Sequence, residues 1–174
     1  MRKTQLSLAI ACCFFFAAQC AQAQMNRKPG LWQMVSTMTW QQSPMPPGMT
    51  MPPGASSPFG GGAHTSQVCV TQAEIDKYGA PVPKSQGECQ VSNIHLNANS
   101  MSADWICTGR MAGKGTVEST WTDADHATTN VHFTGNMEMG PQSHPVEFTI
   151  QALSTYKGPD CGNVKPAPVA NSDR

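Results

Sequence analysis

Met45, Met49 and Met51 lie within PMPPGMTMPPG, and His64 follows at the end of the same Pro- and Gly-rich stretch. Thioethers are soft ligands that suit Cu(I), so three of them with one imidazole have the composition of a copper site. A solvated loop whose methionines form an adaptable contact surface has the same composition. Copper handling through Met45, Met49, Met51 and His64 is therefore an alternative reading, and otherwise no cofactor is expected. His95, His126, His132 and His144 are scattered along the chain, with no His-Glu-x-x-His array.

Other reactive-looking residues resolve into structure. Gly109–Thr116 reads GRMAGKGT, but a phosphate-cradling loop needs Ser or Thr directly after its Lys and four residues between its glycines. Gly115 follows Lys114 and only three residues intervene, so nucleotide binding is rejected. There is no Gly-x-Ser-x-Gly elbow, and the closely spaced carboxylates Asp123 and Asp125 stand where a turn wants them. The chain is not expected to be an enzyme.

The 174 residues include 7 cysteines, and the first segment explains the odd number. Residues 1–23 read as a signal peptide: Arg2 and Lys3 make the charged start, Leu6 to Ala18 the apolar middle, and Ala21-Gln22-Ala23 the small-x-small cleavage site. The apolar run is shorter than the roughly 20 residues that span a bilayer, and no later stretch is apolar enough, so no integral membrane span is expected after cleavage. A lipid-modified Cys20 is the competing reading, and Gln19 before it argues against that. Cleavage removes Cys12, Cys13 and Cys20 and leaves Cys69, Cys89, Cys107 and Cys161. Four cysteines in an oxidising compartment imply two disulfides, since none forms a C-x2-C pair suited to zinc. Loss of Arg2 and Lys3 leaves nine basic against 11 acidic residues, a net charge of −2 that offers nothing to a nucleic acid.

The elements that must position these residues are strands. Leu31–Trp40 alternates, with Trp32, Met34, Met38 and Trp40 on one face and Gln33, Thr37 and Thr39 on the other, opened by Pro29-Gly30. Residues 41–63 are rich in Pro, Gly, Ser and Met and read as a long mobile loop inside a β domain spanning 24–162. Thr65–Val70 resumes as a strand. Thr71 and Glu74 make a capping box for one short helix over Gln72–Lys77, stopped at Gly79. Residues 163–174 read as a disordered tail.

Two hairpins follow. A three-residue loop at Asn97-Ala98-Asn99, with Asn99 at positive φ, sets Cys89 opposite Cys107, Val91 opposite Trp105 and His95 opposite Met101. That register favours a Cys89–Cys107 bridge, leaving Cys69 for Cys161, as one of three connectivities. A turn at Asp123-Ala124-Asp125 sets Val117 against Val131 and Gly115 against Phe133, so that a ring covers bare glycine backbone. Val146–Tyr156 is the clearest strand. The fold class is all-β: an antiparallel meander of about seven strands, a curled sheet or small barrel, with one short helix and with first and last strands near one another.

KPGLWQMVSTM, the Met- and Pro-rich loop, QVCVTQAEI, CQVSNIHLNANSMSADWICTG, GKGTVESTW and KGPDCG together resemble a family of small envelope proteins of Gram-negative bacteria known as a domain of unknown function. Its members open with Pro-Gly-Leu-Trp and carry four cysteines in this order, and the likeness runs from about Lys28 to Gly162. The resemblance implies export to the periplasm, a β-rich fold and a four-cysteine framework. This chain departs from it at Gln33, where an acidic residue is usual, in the SSPFGGG insertion and in its tail.

Trp32, Trp40, Trp105, Trp121, Phe133, Phe148 and Tyr156 fall on the apolar faces of these strands. Read as core, they fill the interior. Read as a lining, they meet an apolar ligand inside a curled sheet. The leading functional expectation is a non-catalytic periplasmic binding or envelope-interaction protein, whose partner is a small apolar molecule, a lipid or another envelope protein.

Overall fold

The computed structural model describes residues 27–45, 62–78 and 88–166. Met49, Met51, the segment 1–23 read as a signal peptide, most of the Pro-rich segment and the last residues of the tail lie outside that range. Seven strands form one antiparallel sheet: β1 (Gly30–Gln42), β2 (Ala63–Val70), β3 (Cys89–Leu96), β4 (Ser100–Cys107), β5 (Met111–Trp121), β6 (His126–Met139) and β7 (Gln142–Gly158). The single short helix, α1, spans Gln72–Tyr78. The order across the sheet is β2-β1-β7-β6-β5-β4-β3. First and last strands are thus neighbours, and the sheet stays open between β2 and β3 rather than closing into a barrel.

The strands run longer than periodicity alone predicts, because ladder partners continue where the apolar alternation fades. β1 extends to Gln42, paired with Glu147 of β7, and β2 begins at Ala63 opposite Thr37, which narrows the connecting segment to residues 43–62. Pro145 is accepted within β7 because β1 pairs no further than Glu147 on that side; a residue without an amide donor is tolerated where one edge is free. The helix start is the reciprocal box: the Thr71 amide donates to Glu74 Oε2 at 3.0 Å, and the Glu74 amide to Thr71 Oγ1 at 3.2 Å.

The second hairpin keeps its expected register, Val117 opposite Val131 and Gly115 opposite Phe133. A Cβ on Gly113 would meet Phe133 Cζ at 2.7 Å and Gly135 Cα at 2.7 Å, so the ring lies against backbone that no side chain protects. The first hairpin departs from expectation halfway along. Cys89 faces Cys107 and Val91 faces Trp105, but His95 faces Ser102 and Leu96 faces Met101. A β-bulge after Ser92 inserts one residue into β3, and the positive φ expected at Asn99 belongs instead to Asn93, at 50°. Asn is the residue type that most readily takes this conformation after Gly. The loop itself stays at residues 97–99, closed by the Asn97 amide donating to Ser100 O at 2.9 Å.

Among the described residues no second layer covers the sheet; it buries one face by curling on itself. Trp105 of β4 and Phe148 of β7 are separated by two intervening strands, which in a flat sheet is about 14 Å, yet their ring centroids are 6.3 Å apart. Phe133, Phe148, Met101, Val117 and Val146 are fully buried inside this curl.

The segment before β1 closes one end. Trp32 Nε1 donates to Lys28 O at 3.0 Å, Tyr156 Oη donates to Pro29 O at 3.3 Å, and Lys28 Nζ reaches Asp125 Oδ1 at 2.7 Å. Arg27 Nη2 donates to Asn97 O at 3.2 Å while its guanidinium lies 4.2 Å from the Trp121 ring centroid. The Lys-Pro-Gly-Leu-Trp opening is thereby a clasp that joins β1 to β7, to the β5–β6 turn and to the β3–β4 tip. Gly30 sits in it at φ 133°, where a Cβ would strike Gly158 O and approach Pro159 Cα to 2.9 Å. Gly30→Ala is therefore expected to lower stability by about 2–3 kcal/mol, read as a lower urea midpoint with an unchanged m-value. An unaltered midpoint would refute the close approach.

Candidate functional site

The pairing registers place Trp32, Trp40, Trp105, Trp121, Phe133, Phe148 and Tyr156 on the same, concave face. They form two groups. At one end Trp32 meets Tyr156 edge-on at 5.5 Å, beside Trp121 under the Arg27 guanidinium. At the other, Phe133 stacks on Phe148 at 5.0 Å, with Trp40 edge-on to Phe148 at 5.1 Å and Trp105 edge-on to Phe133 at 5.5 Å.

Cover differs within each group. Trp32, Trp121, Phe133 and Phe148 are buried, whereas Tyr156, Trp40 and Trp105 are half-buried, as are Met38, Val131 and Ile150 on the row beside the second group. The inner rings are core, and the outer rings are only part-covered lining. Across this face, among the described strand residues, no Asp, Glu, Lys or Arg points inward; His64 and His144 stand at its margins. The convex face carries the charge, including Lys114, Glu118 and the His132 to Glu147 contact at 3.0 Å. A face of this kind binds uncharged matter by area and excludes ions by desolvation.

Methionines supply the rim of the half-buried end. Met111 lies directly opposite Met137, Met139 follows two residues later at 44% exposure, and Met38 packs beside Trp40. Sequence reasoning places Met38 on the apolar face and singles out the loop methionines, but misses Met111, Met137 and Met139. The signal was the period-two spacing that carries Met137 and Met139 onward from Phe133, on the same face.

The proposed copper ligands are placed differently. His64 is exposed on β2 and faces Ser36 of β1, while Met45 lies beyond the end of β1, where its amide donates to Ser43 Oγ at 3.2 Å. The six residue-to-residue steps from Ser36 to Gln42 cover about 20 Å of strand, so the two enter the intervening segment from well-separated rows. Met49 and Met51 lie outside the described residues. Among the described residues no group of three or more His, Cys, Asp or Glu side chains is placed to share a metal ion.

Both disulfides are formed. Cys89–Cys107 joins directly opposed residues at the methionine end, and Cys69–Cys161 ties the last turn of β2 to the chain just past β7. The Thr108 amide donates to Glu88 O at 2.9 Å, so by the alternation of an antiparallel ladder the cysteine pair falls at a non-hydrogen-bonded position, where opposed residues come closest. Among the described residues no helix is long and apolar enough to cross a membrane.

At the clasped end the Asp123 carboxylate accepts the Asp125 amide at 2.7 Å and contacts His126 Nδ1 at 2.9 Å. These bonds, the amide first, hold its pKa below the ordinary 3.8. A depressed carboxylate contributes stability that is present above its unfolded pKa and lost as pH falls through the folded value. Asp123→Asn should therefore flatten the decline in stability below pH 3.8, as measured by thermal unfolding across the acid range. An acid limb identical to that of the parent chain would count against the turn.

Residues 27–161 match the family described as "Protein of unknown function (DUF3617)", and the chain belongs to that family. The match begins at the Arg27 clasp and ends at the second disulfide. No curated protein and no solved structure matches the chain.

Proposed function

We propose that this DUF3617 chain is a non-catalytic binding protein of the Gram-negative periplasm, which holds an uncharged apolar molecule or lipid chain against its concave aromatic face. The observation that carries this reading is the incomplete cover of an inward face whose described strand residues include no Asp, Glu, Lys or Arg. Trp40 and Trp105 flank a fully buried Phe133–Phe148 stack and are themselves only half-buried. The leader with its cleavage site after Ala23 supports export, and two disulfides suit an oxidising compartment. The methionine rim supports adaptable rather than shape-specific recognition, because unbranched thioether side chains repack around different ligands.

Titration with palmitate, followed by tryptophan fluorescence and by native mass spectrometry, tests the reading. Saturable one-to-one binding is expected, together with at least a tenfold loss in Met38→Glu, which sets a charge beside Trp40 and Ile150. Absence of binding by the parent chain would reject the function. Equal binding by parent and Met38→Glu would move the ligand to another surface.

A further inference from the structure

The open sheet leaves two edges, and they are built differently. β3 is interrupted by the bulge at Asn93, whose Nδ2 donates to Asp104 Oδ2 at 2.7 Å. A bulge of this kind twists an edge away from further pairing. β2 has no such device. It pairs with β1 in unbroken register from Ala63 to Val70, and Ala63 to Val68 are exposed on both faces of the strand. AHTSQVCV contains no Pro, Asp, Glu, Lys or Arg, the residues with which proteins ordinarily block an edge.

We propose that β2 pairs antiparallel with β2 of a second copy of this chain, about a two-fold axis normal to the sheet near Thr65 or Ser66. A strand edge that no other described strand pairs presents amides and carbonyls that another extended strand satisfies along their whole length. Self-pairing of this strand is permitted on electrostatic grounds, because no Asp, Glu, Lys or Arg is brought opposite another residue across the axis. In antiparallel pairing about such an axis, opposed residues share a face. His64, Ser66 and the exposed Val68 then meet their counterparts on the concave side, and Thr65 and Gln67 meet theirs on the convex side. The axis uses up β2 in both copies, so assembly stops at two and leaves both concave faces on the same side of a continuous sheet. This inference is independent of the ligand.

Sedimentation equilibrium of the oxidised chain, from about 1 to 300 µM, is the test, since a single strand pair buries too little area for tight association. A monomer–dimer equilibrium is expected. The double variant Thr65→Lys and Gln67→Lys clusters four positive charges at the axis, and should weaken the dimer at least tenfold while leaving the near-ultraviolet circular dichroism unchanged. Gln90→Lys on β3 should have no effect on assembly. A parent chain that stays monomeric over the whole range overturns the proposal, as does a dimer indifferent to the two lysines or one lost on changing Gln90. Growth beyond two copies also overturns it, because that requires a second pairing edge.

Discussion

Phe133→Ala is expected to lower stability by about 3–5 kcal/mol, the range for removing a fully buried aromatic side chain. Phe133 is 0% exposed, stacks on Phe148, meets Trp105 edge-on and lies against the backbone of Gly113, Gly115 and Gly135. Truncation leaves a cavity at the centre of the larger apolar cluster and strips cover from a glycine patch that has no side chains with which to refill it. For a domain whose whole stability is about 5–15 kcal/mol, that is a major fraction. Urea unfolding followed by far-ultraviolet circular dichroism measures it directly. Phe133→Leu, which retains most of the volume, should lose clearly less. A loss below about 1 kcal/mol in Phe133→Ala would contradict the closely packed curl described here.

The second large effect belongs to Cys69–Cys161. The bridge closes a sequence separation of 92 residues, against 18 for Cys89–Cys107. Loop-closure entropy assigns about 4.6 kcal/mol to the first and about 3.2 kcal/mol to the second. Replacing both Cys69 and Cys161 by Ala should therefore cost on the order of 4–5 kcal/mol. The loss has a location as well as a size. Among the described strands β2 pairs with β1 alone, and the bridge fastens its end across β1 to the chain beyond β7. Hydrogen exchange in the double variant should rise first at the amides of β2 that pair with β1, ahead of β5 and β6. Uniform acceleration along all seven strands would show that the bridge acts on the unfolded chain alone, and an unchanged unfolding midpoint would refute its contribution altogether.

Alternation from Leu31 to Trp40 and from Val146 to Tyr156 put the correct residues on one face, because a strand's side chains change sides at every residue wherever the ladder is unbroken. The Gly115–Phe133 pairing followed from turn length, and the capping box of α1 from two residues three positions apart. All of these are local. The bulge at Asn93 was overlooked although its trace is present. Cys89 and Val91 occupy odd positions and Ile94 and Leu96 even ones, a slip of phase that marks the inserted residue. The strand was read past that slip, which is why His95 was assigned to Met101 and the positive φ to Asn99.

By itself, then, the amino-acid sequence determined the strand class, the common apolar face, the hairpin between β5 and β6, and the four cysteines that form the two disulfides. Each of these depends on neighbours within a few residues or on one tight turn. Only the tertiary structure decided that the sheet remains open, that the opening falls between β2 and β3, and that Phe133 and Phe148 are sealed while Trp40 and Trp105 are not. Those outcomes depend on how far seven strands twist together. Twist accumulates across ladders between residues far apart in the chain, such as Trp32 with Tyr156 and Trp40 with Phe148. Alternation along one strand sets which side a ring takes, but only the summed curvature of all seven sets how deeply that ring is covered.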